Sequence, residues 1–141
     1  MDISVYSRAH RILRNLRNYK PLDVIRHDDF YSKILDFFQG QDEVIGVYEN
    51  PPNGERSFVL IGENRLLIWD GKSIMTLDYK NICEIENPSE KSDFHKSSLD
   101  SLQLKMKSGD IVTIFIRGSD ENSRDIYPFM RFLMRVVSDL N

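Results

Sequence analysis

Short runs of β-branched and aromatic residues, separated by turn residues, dominate the chain from residue 43 onward. The first three runs are Glu43 to Glu49, Arg56 to Ile61 and Arg65 to Trp69. Four more follow at 73–77, 81–86, 102–106 and 111–116, and Asp70-Gly71 provides the strongest hairpin signal among the turns. Runs of this length and spacing predict an antiparallel meander of seven strands rather than βαβ units.

Helical periodicity flanks the meander on both sides. Residues 3–19 place apolar side chains on one helical face and arginines elsewhere, which predicts a basic amphipathic helix that Pro21 ends. A second helix follows a cap at Asp28 or Asp29 and presents a broad apolar face as far as Phe38. Apolar residues repeat every three or four positions again from Ile126 to Leu140, which predicts a C-terminal helix.

Together these elements predict a mainly β fold with helices, of the α+β class. We expect a seven-stranded antiparallel barrel that a C-terminal α-helix caps and that two N-terminal helices precede. The predicted boundary divides a helical extension at residues 1–40 from the barrel and its helix at residues 41–141.

Three segments of the sequence resemble the bacterial pleckstrin-homology-like domains. An acidic step at Asp42-Glu43 precedes the first predicted strand, Asn64-Arg65-Leu66 leads into the third, and Tyr79-Lys80-Asn81-Ile82 leads into the fifth. The resemblance extends over about residues 28–141 and implies a pleckstrin-homology-like barrel. Ile61-Gly62 departs from the pattern, because the family commonly has a threonine after the hydrophobic residues of the second strand.

The net charge of −3 conceals a difference between the two parts of the chain. Residues 1–20 carry five basic residues and one acidic residue, whereas the remainder carries 14 basic and 21 acidic residues. Nucleic-acid-binding domains gather lysine and arginine on the folded body, so nucleic acid is not the expected partner. The first 20 residues lack the features of a secretory signal, which predicts a cytoplasmic protein. The lone Cys83 has no cysteine partner, and we expect it to be buried in the fifth strand.

No pattern typical of a catalytic or metal site occurs in the sequence. His10, His27 and His95 lack metal-ligand spacing, and neither a glycine-rich phosphate loop nor a nucleophile elbow is present. Phosphoinositide sites of the wider pleckstrin-homology family use several cations around the loop after the first strand, but here that loop carries Glu49 and Glu55. We therefore expect no enzyme activity, cofactor, metal, small-molecule substrate or phosphoinositide site. We interpret Arg56 and Lys72 as a pair of ordinary surface charges.

Two groups of residues are the candidates for binding a protein partner. The loop after the fifth strand contributes Glu90, Asp93, Phe94 and His95, and the first helix contributes Arg8, Arg11, Arg14 and Arg17. A wider acidic patch for a basic protein would comprise Glu84, Glu86, Glu90, Asp93, Asp120, Glu121 and Asp125.

The sequence favours a module that works by protein–protein contact, and two alternatives stay open. One is an immunity or inhibitor protein that neutralises a basic toxin or enzyme through an acidic face. The other is peripheral association with a membrane through the basic helix, which is less favoured than docking of that helix on its own domain.

Overall fold

The structure, a computed structural model, describes residues 4–38, 40, 42–50, 56–86, 101–116 and 125–140. The helices are α1 (Val5–Ile12), α2 (Leu22–Ile25), α3 (Asp29–Phe38) and α4 (Ile126–Leu140). The strands are β1 (Tyr19–Pro21), β2 (Val44–Glu49), β3 (Phe58–Gly62), β4 (Arg65–Trp69), β5 (Ile74–Asp78), β6 (Ile82–Ile85), β7 (Ser101–Met106) and β8 (Ile111–Phe115). A 3₁₀ turn, Tyr79–Asn81, lies between β5 and β6.

The strands form two antiparallel sheets, each with its strands in chain order. One sheet contains β1 to β5 and the other contains β6 to β8. The mixed α+β class with antiparallel strands and a C-terminal helix is therefore confirmed. Two finer points differ from the prediction for the described residues: there are eight strands rather than seven, and no hydrogen-bonded ladder joins the two sheets into a closed barrel.

The additional strand comes from the segment that was predicted to be the end of the first helix. α1 ends at Ile12, and the chain then turns so that Tyr19–Pro21 pairs with Gly46 to Tyr48 of β2. Asn15 and Asn18 are weak helix formers, and the pairing gives the backbone at residues 19–21 hydrogen-bond partners in the sheet. The described residues before β2 therefore form three helices, α1, α2 and α3, whereas two were predicted.

One hydrophobic core lies between the inner face of the five-stranded sheet, the three-stranded sheet, α1 and α4. α4 provides five of its buried side chains, and Leu102, Leu104 and Ile114 provide the inner face of the small sheet. Val5, Ala9 and Leu13 belong to the same core. The apolar face of the first helix therefore docks on its own domain. The main core contains side chains from before and after the predicted boundary at residue 40.

A second core lies on the outer face of the five-stranded sheet. Tyr31 and Phe38 of α3, together with Ile25 of α2, pack there against Phe58 and Leu60. Asp28 caps α3 as predicted, because its Oδ1 accepts hydrogen bonds from the N–H groups of residues 30 and 31 at 2.8 and 3.4 Å. β3 is buried along its whole length, because helices cover the sheet on one side and the main core covers it on the other.

Cys83 is exposed, so the prediction of a buried thiol is wrong. The register between β6 and β7 shifts between Ile82 and Glu84, and this irregularity interrupts the alternation of inward and outward side chains. Ile82 is buried while Cys83 and Glu84 both face solvent.

Candidate binding site

The three segments that resemble the pleckstrin-homology-like pattern meet at one hydrogen-bonded cluster around Asp42. Its Oδ2 accepts from the backbone N–H groups of Asn64 and Arg65 at 2.7 and 3.1 Å, and its Oδ1 accepts from Asn64 Nδ2 at 2.9 Å. The acidic step before β2 thus holds the tight turn between β3 and β4. These motif residues have a structural role in the fold.

Gly62 and Tyr79 complete the cluster. The Tyr79 hydroxyl, which is fully buried, donates to the Gly62 carbonyl at 2.8 Å. A side chain at position 62 would overlap the Asp42 carboxylate and would lie 2.9 Å from the Arg65 carbonyl oxygen. The glycine that departs from the family pattern is therefore required by the close approach of Asp42. Burial, together with the charges of Asp42 and Glu63, raises the pKa of Tyr79 well above its ordinary value.

Beside this cluster lies a groove of about 950 Å³, which we call the acidic groove. Helices α1, α2 and α3, the linker into β2 and the β3–β4 turn contribute its lining: Tyr6, Leu22, Arg26, Ser32, Leu35, Asp36, Gly40, Asp42, Glu43, Val44, Ile45, Glu63 and Asn64. Leu22, Leu35 and Val44 are half-buried and form an apolar floor. Four carboxylates and one guanidinium line the groove, so its rim is negatively charged.

A charged cluster closes the other end of the outer core. The Arg56 guanidinium forms an ion pair with Glu49 and lies 3.8 Å from the centroid of the Phe30 ring, while Lys20 Nζ lies 3.6 Å from Glu49 Oε1. Burial by itself raises the pKa of Glu49. The interactions with the Arg56 guanidinium, the Tyr31 hydroxyl and the charge of Lys20 lower it and together outweigh burial, so the pKa of Glu49 is lowered. Arg56 is an exposed side chain, as the interpretation as a surface charge implies, and the ion pair and the ring contact hold it against its own domain.

A smaller cleft of about 190 Å³ lies between β8 and the ends of β3, β4 and β5. Asn50 links the two sheets at this point, because its Nδ2 donates to the Phe115 carbonyl at 2.9 Å and lies 3.1 Å from Ser57 Oγ. The described lining contains Asp70 and no lysine or arginine. Its volume is below the roughly 300 Å³ that ligand pockets usually have.

Of the four arginines predicted from the first helix, Arg8 and Arg11 lie on α1, and Arg14 and Arg17 lie in the segment that follows it. Arg8 makes two hydrogen bonds of 3.1 Å to the Asp139 carboxylate of α4, so it joins two elements of its own chain. Arg11, Arg14 and Arg17 are exposed, and Arg14 Nη1 lies 3.1 Å from His10 Nε2. None of the four is among the described residues that line the acidic groove, a site that the sequence analysis did not identify.

The loop candidates Glu90, Asp93, Phe94 and His95 lie outside the described residues, as do Asp120 and Glu121 of the acidic patch. Of the remaining patch members, Asp125 accepts a hydrogen bond of 2.7 Å from the Tyr48 hydroxyl. Among the residues that the structure describes, no group of three or more histidine, cysteine, aspartate or glutamate side chains could hold a metal ion. None of the described helices combines the length and the apolar character that crossing a membrane requires.

No protein-family model and no curated protein matches the chain. One solved structure that is similar to it is Inner Membrane Complex Sub-compartment Protein 3 from Toxoplasma gondii. The two share 12% sequence identity over 80% of this chain and 86% of that chain, with a TM-score of 0.44. We draw no functional conclusion from a similarity at this level.

Proposed function

We propose that the chain is a non-enzymatic, pleckstrin-homology-like module that binds a protein, and that the acidic groove is the site of contact. The observation that carries this proposal is the groove itself, which combines a volume of about 950 Å³ with an apolar floor and a rim of carboxylates. Grooves with apolar anchoring sites and a charged rim are typical of surfaces that bind a segment of another protein.

The order of the elements supports the assignment to the pleckstrin-homology-like class. Strands β2 to β8 form two antiparallel sheets in chain order, and the C-terminal helix α4 follows them. We propose that the two sheets are the two halves of one barrel-like unit, with α4 against one opening. The Asp42 cluster supports the class assignment, because it gives all three segments of the resemblance a common structural role.

The chemistry of the groove defines the partner. Asp36 and Glu43 are exposed, and each is next in sequence to a half-buried apolar residue of the groove, Leu35 in α3 and Val44 in β2. A partner segment with leucine-like side chains would bury them on the floor, while its lysine or arginine side chains would meet the carboxylates at the rim. We therefore propose a basic amphipathic segment as the ligand.

Binding of two designed peptides to the ¹⁵N-labelled chain tests this proposal. One peptide carries leucine and lysine at helical spacing, and the other has glutamate at every lysine position. We expect the basic peptide to shift the amide resonances of residues 22–44 and 63–64, and the acidic peptide to leave them unchanged. Shifts confined to other residues, or equal binding of both peptides, would contradict the proposal.

Charge reversal in the groove provides the matched comparison. The double variant Asp36→Lys and Glu43→Lys should weaken binding of the basic peptide about tenfold or more, because two favourable charge contacts become repulsive. The control variant Glu84→Lys and Asp110→Lys makes the same change in charge at exposed positions in β6 and in the β7–β8 turn, and it should bind as the parent does. An equal loss in both variants would mean that net charge, and not the groove, controls binding.

The alternative of an immunity or inhibitor protein uses the same negative rim. It requires one basic protein that binds tightly and with strongly salt-dependent association. A partner whose enzymatic or toxic activity is blocked stoichiometrically by the parent chain, and much less by the charge-reversed groove variant, would favour that alternative.

A further inference from the structure

A second charged surface, of opposite sign, lies on α1, the segment that follows it and α4, and none of its arginines lines the acidic groove. Residues 4–18 and 126–140 contain six arginines, and Asp139 is their only acidic residue. Arg8 is paired with Asp139, which leaves five exposed arginines: Arg11, Arg14, Arg17, Arg131 and Arg135. We call these five the arginine face.

Contacts near the two ends of α4 show how the N-terminal segment runs along that helix. Arg8 contacts Asp139 near the end of α4, whereas Asn18 Nδ2 lies 3.4 Å from the Tyr48 hydroxyl that donates to Asp125 at its start. The segment from residue 8 to residue 18 therefore runs antiparallel to α4. Arg11 follows Arg8 by nearly one helical turn, so it lies on the side of α1 next to α4.

The solvent-facing stripe of α4 combines arginines with apolar side chains. Exposed positions repeat at Tyr127, Arg131, Met134, Arg135 and Ser138, and Met134 is 50% exposed. The stripe spans about 16 Å at the rise of an α-helix. Arg131 and Arg135 are one turn apart, a like-charge spacing that lowers the stability of a helix. Asp139, one turn after Arg135, is the acidic residue of this stripe, and it pairs with Arg8.

We propose that the arginine face binds the surface of an anionic membrane. None of these arginines lines the acidic groove or the smaller cleft beside β8, so the face is a separate surface. A helical surface that presents several cations around apolar side chains matches the headgroup region of a bilayer containing acidic lipids. The apolar side of α1 is already buried in the core, so the contact is made by charge and by the exposed stripe of α4, without release of α1.

Sedimentation with vesicles of phosphatidylcholine alone and of phosphatidylcholine with phosphatidylserine tests the proposal. The full chain should bind the anionic vesicles at low ionic strength, should be released by salt, and should not bind the neutral vesicles. The double variant Arg131→Gln and Arg135→Gln should partition about 25-fold less, since each arginine near an anionic surface contributes about fivefold. Both positions are exposed, so the variant should melt no lower than the parent.

The control is Lys105→Gln with Lys107→Gln, which removes the same charge from exposed positions of the small sheet and should reduce partitioning less than twofold. Equal losses in the two variants, or absence of binding by the parent, would overturn the proposal. Binding of heparin or polyglutamate without binding of anionic vesicles would overturn it in favour of an acidic macromolecule. The groove variant Asp36→Lys and Glu43→Lys should retain vesicle binding, so failure of the protein-binding proposal and failure of this one remain distinguishable.

Discussion

Replacement of Gly62 by alanine should destabilise the protein through Asp42, and the effect should depend on the side chain at position 42. The added methyl group would overlap the Asp42 carboxylate and would approach the Arg65 carbonyl oxygen to 2.9 Å. Insertion of one methyl into a packed site usually costs about 1–3 kcal/mol. Displacement of the carboxylate would also weaken its hydrogen bonds to the N–H groups of Asn64 and Arg65.

The double-mutant cycle makes this reasoning quantitative. Asp42→Ala alone should lower the free energy of unfolding by about 2 kcal/mol, because two backbone donors lose a charged acceptor in a partly exposed turn. In the Asp42→Ala background the overlap with the carboxylate is absent, and only the approach to the Arg65 carbonyl remains. The double variant should therefore be more stable than the sum of the single effects predicts, by about 1 kcal/mol.

Urea unfolding, followed by the fluorescence of Trp69, measures the four free energies of the cycle. Gly109→Ala is the control for an added methyl group that does not contact Asp42. Gly109 has a φ of +97°, and an added methyl there would have no atom within 4 Å. That variant should lose about 1 kcal/mol in either background, with additive effects. If Gly62→Ala and Asp42→Ala also add within about 0.5 kcal/mol, the close approach does not explain the glycine and the reasoning is refuted.

Two further predictions concern the docked N-terminal segment and the charged cluster. Leu13→Ala should lower the free energy of unfolding by about 2–5 kcal/mol in urea titrations, since Leu13 is fully buried; a loss below about 1 kcal/mol would show that α1 docks only loosely. Because the pKa of Glu49 is lowered in the folded state, its stabilising contribution is present above the ordinary value of 4.5 and is lost as the pH falls through the folded-state pKa. Glu49→Gln should therefore flatten the acid limb of a plot of unfolding free energy against pH, and an unchanged limb would contradict the assigned contacts.

The sequence predicts the strands well where local pattern and turn chemistry agree. β2 to β8 coincide with the seven predicted runs to within one or two residues at either end, because β-branched residues mark the runs and turn or loop residues separate them. β1 could not be predicted in this way. Its three residues have no alternating pattern of their own, and pairing with β2 overrides the helical periodicity that precedes them.

The acidic groove escaped prediction because its residues come from separate segments. Asp36 and Glu43 each belong to an ordinary polar position, and only the packing of α3 on the sheet brings them beside Glu63. Arg131 and Arg135 escaped for a similar reason. Their relation to the basic N-terminal segment depends on the antiparallel docking of α1 on α4, which the linear sequence does not reveal. The exposure of Cys83 likewise follows from a shift in register that no residue type announces.

The short strand β1 has a consequence for how this protein can be handled. β1 is an edge strand of the five-stranded sheet. Pro21 carries no amide hydrogen, so this edge pairs poorly with a strand of another chain. Truncation before residue 22 would strip this cover from β2 and take Leu13 and Tyr19 from the main core. We expect such a truncated protein to self-associate, so loss of binding after truncation would report damage to the sheet rather than the absence of a recognition segment.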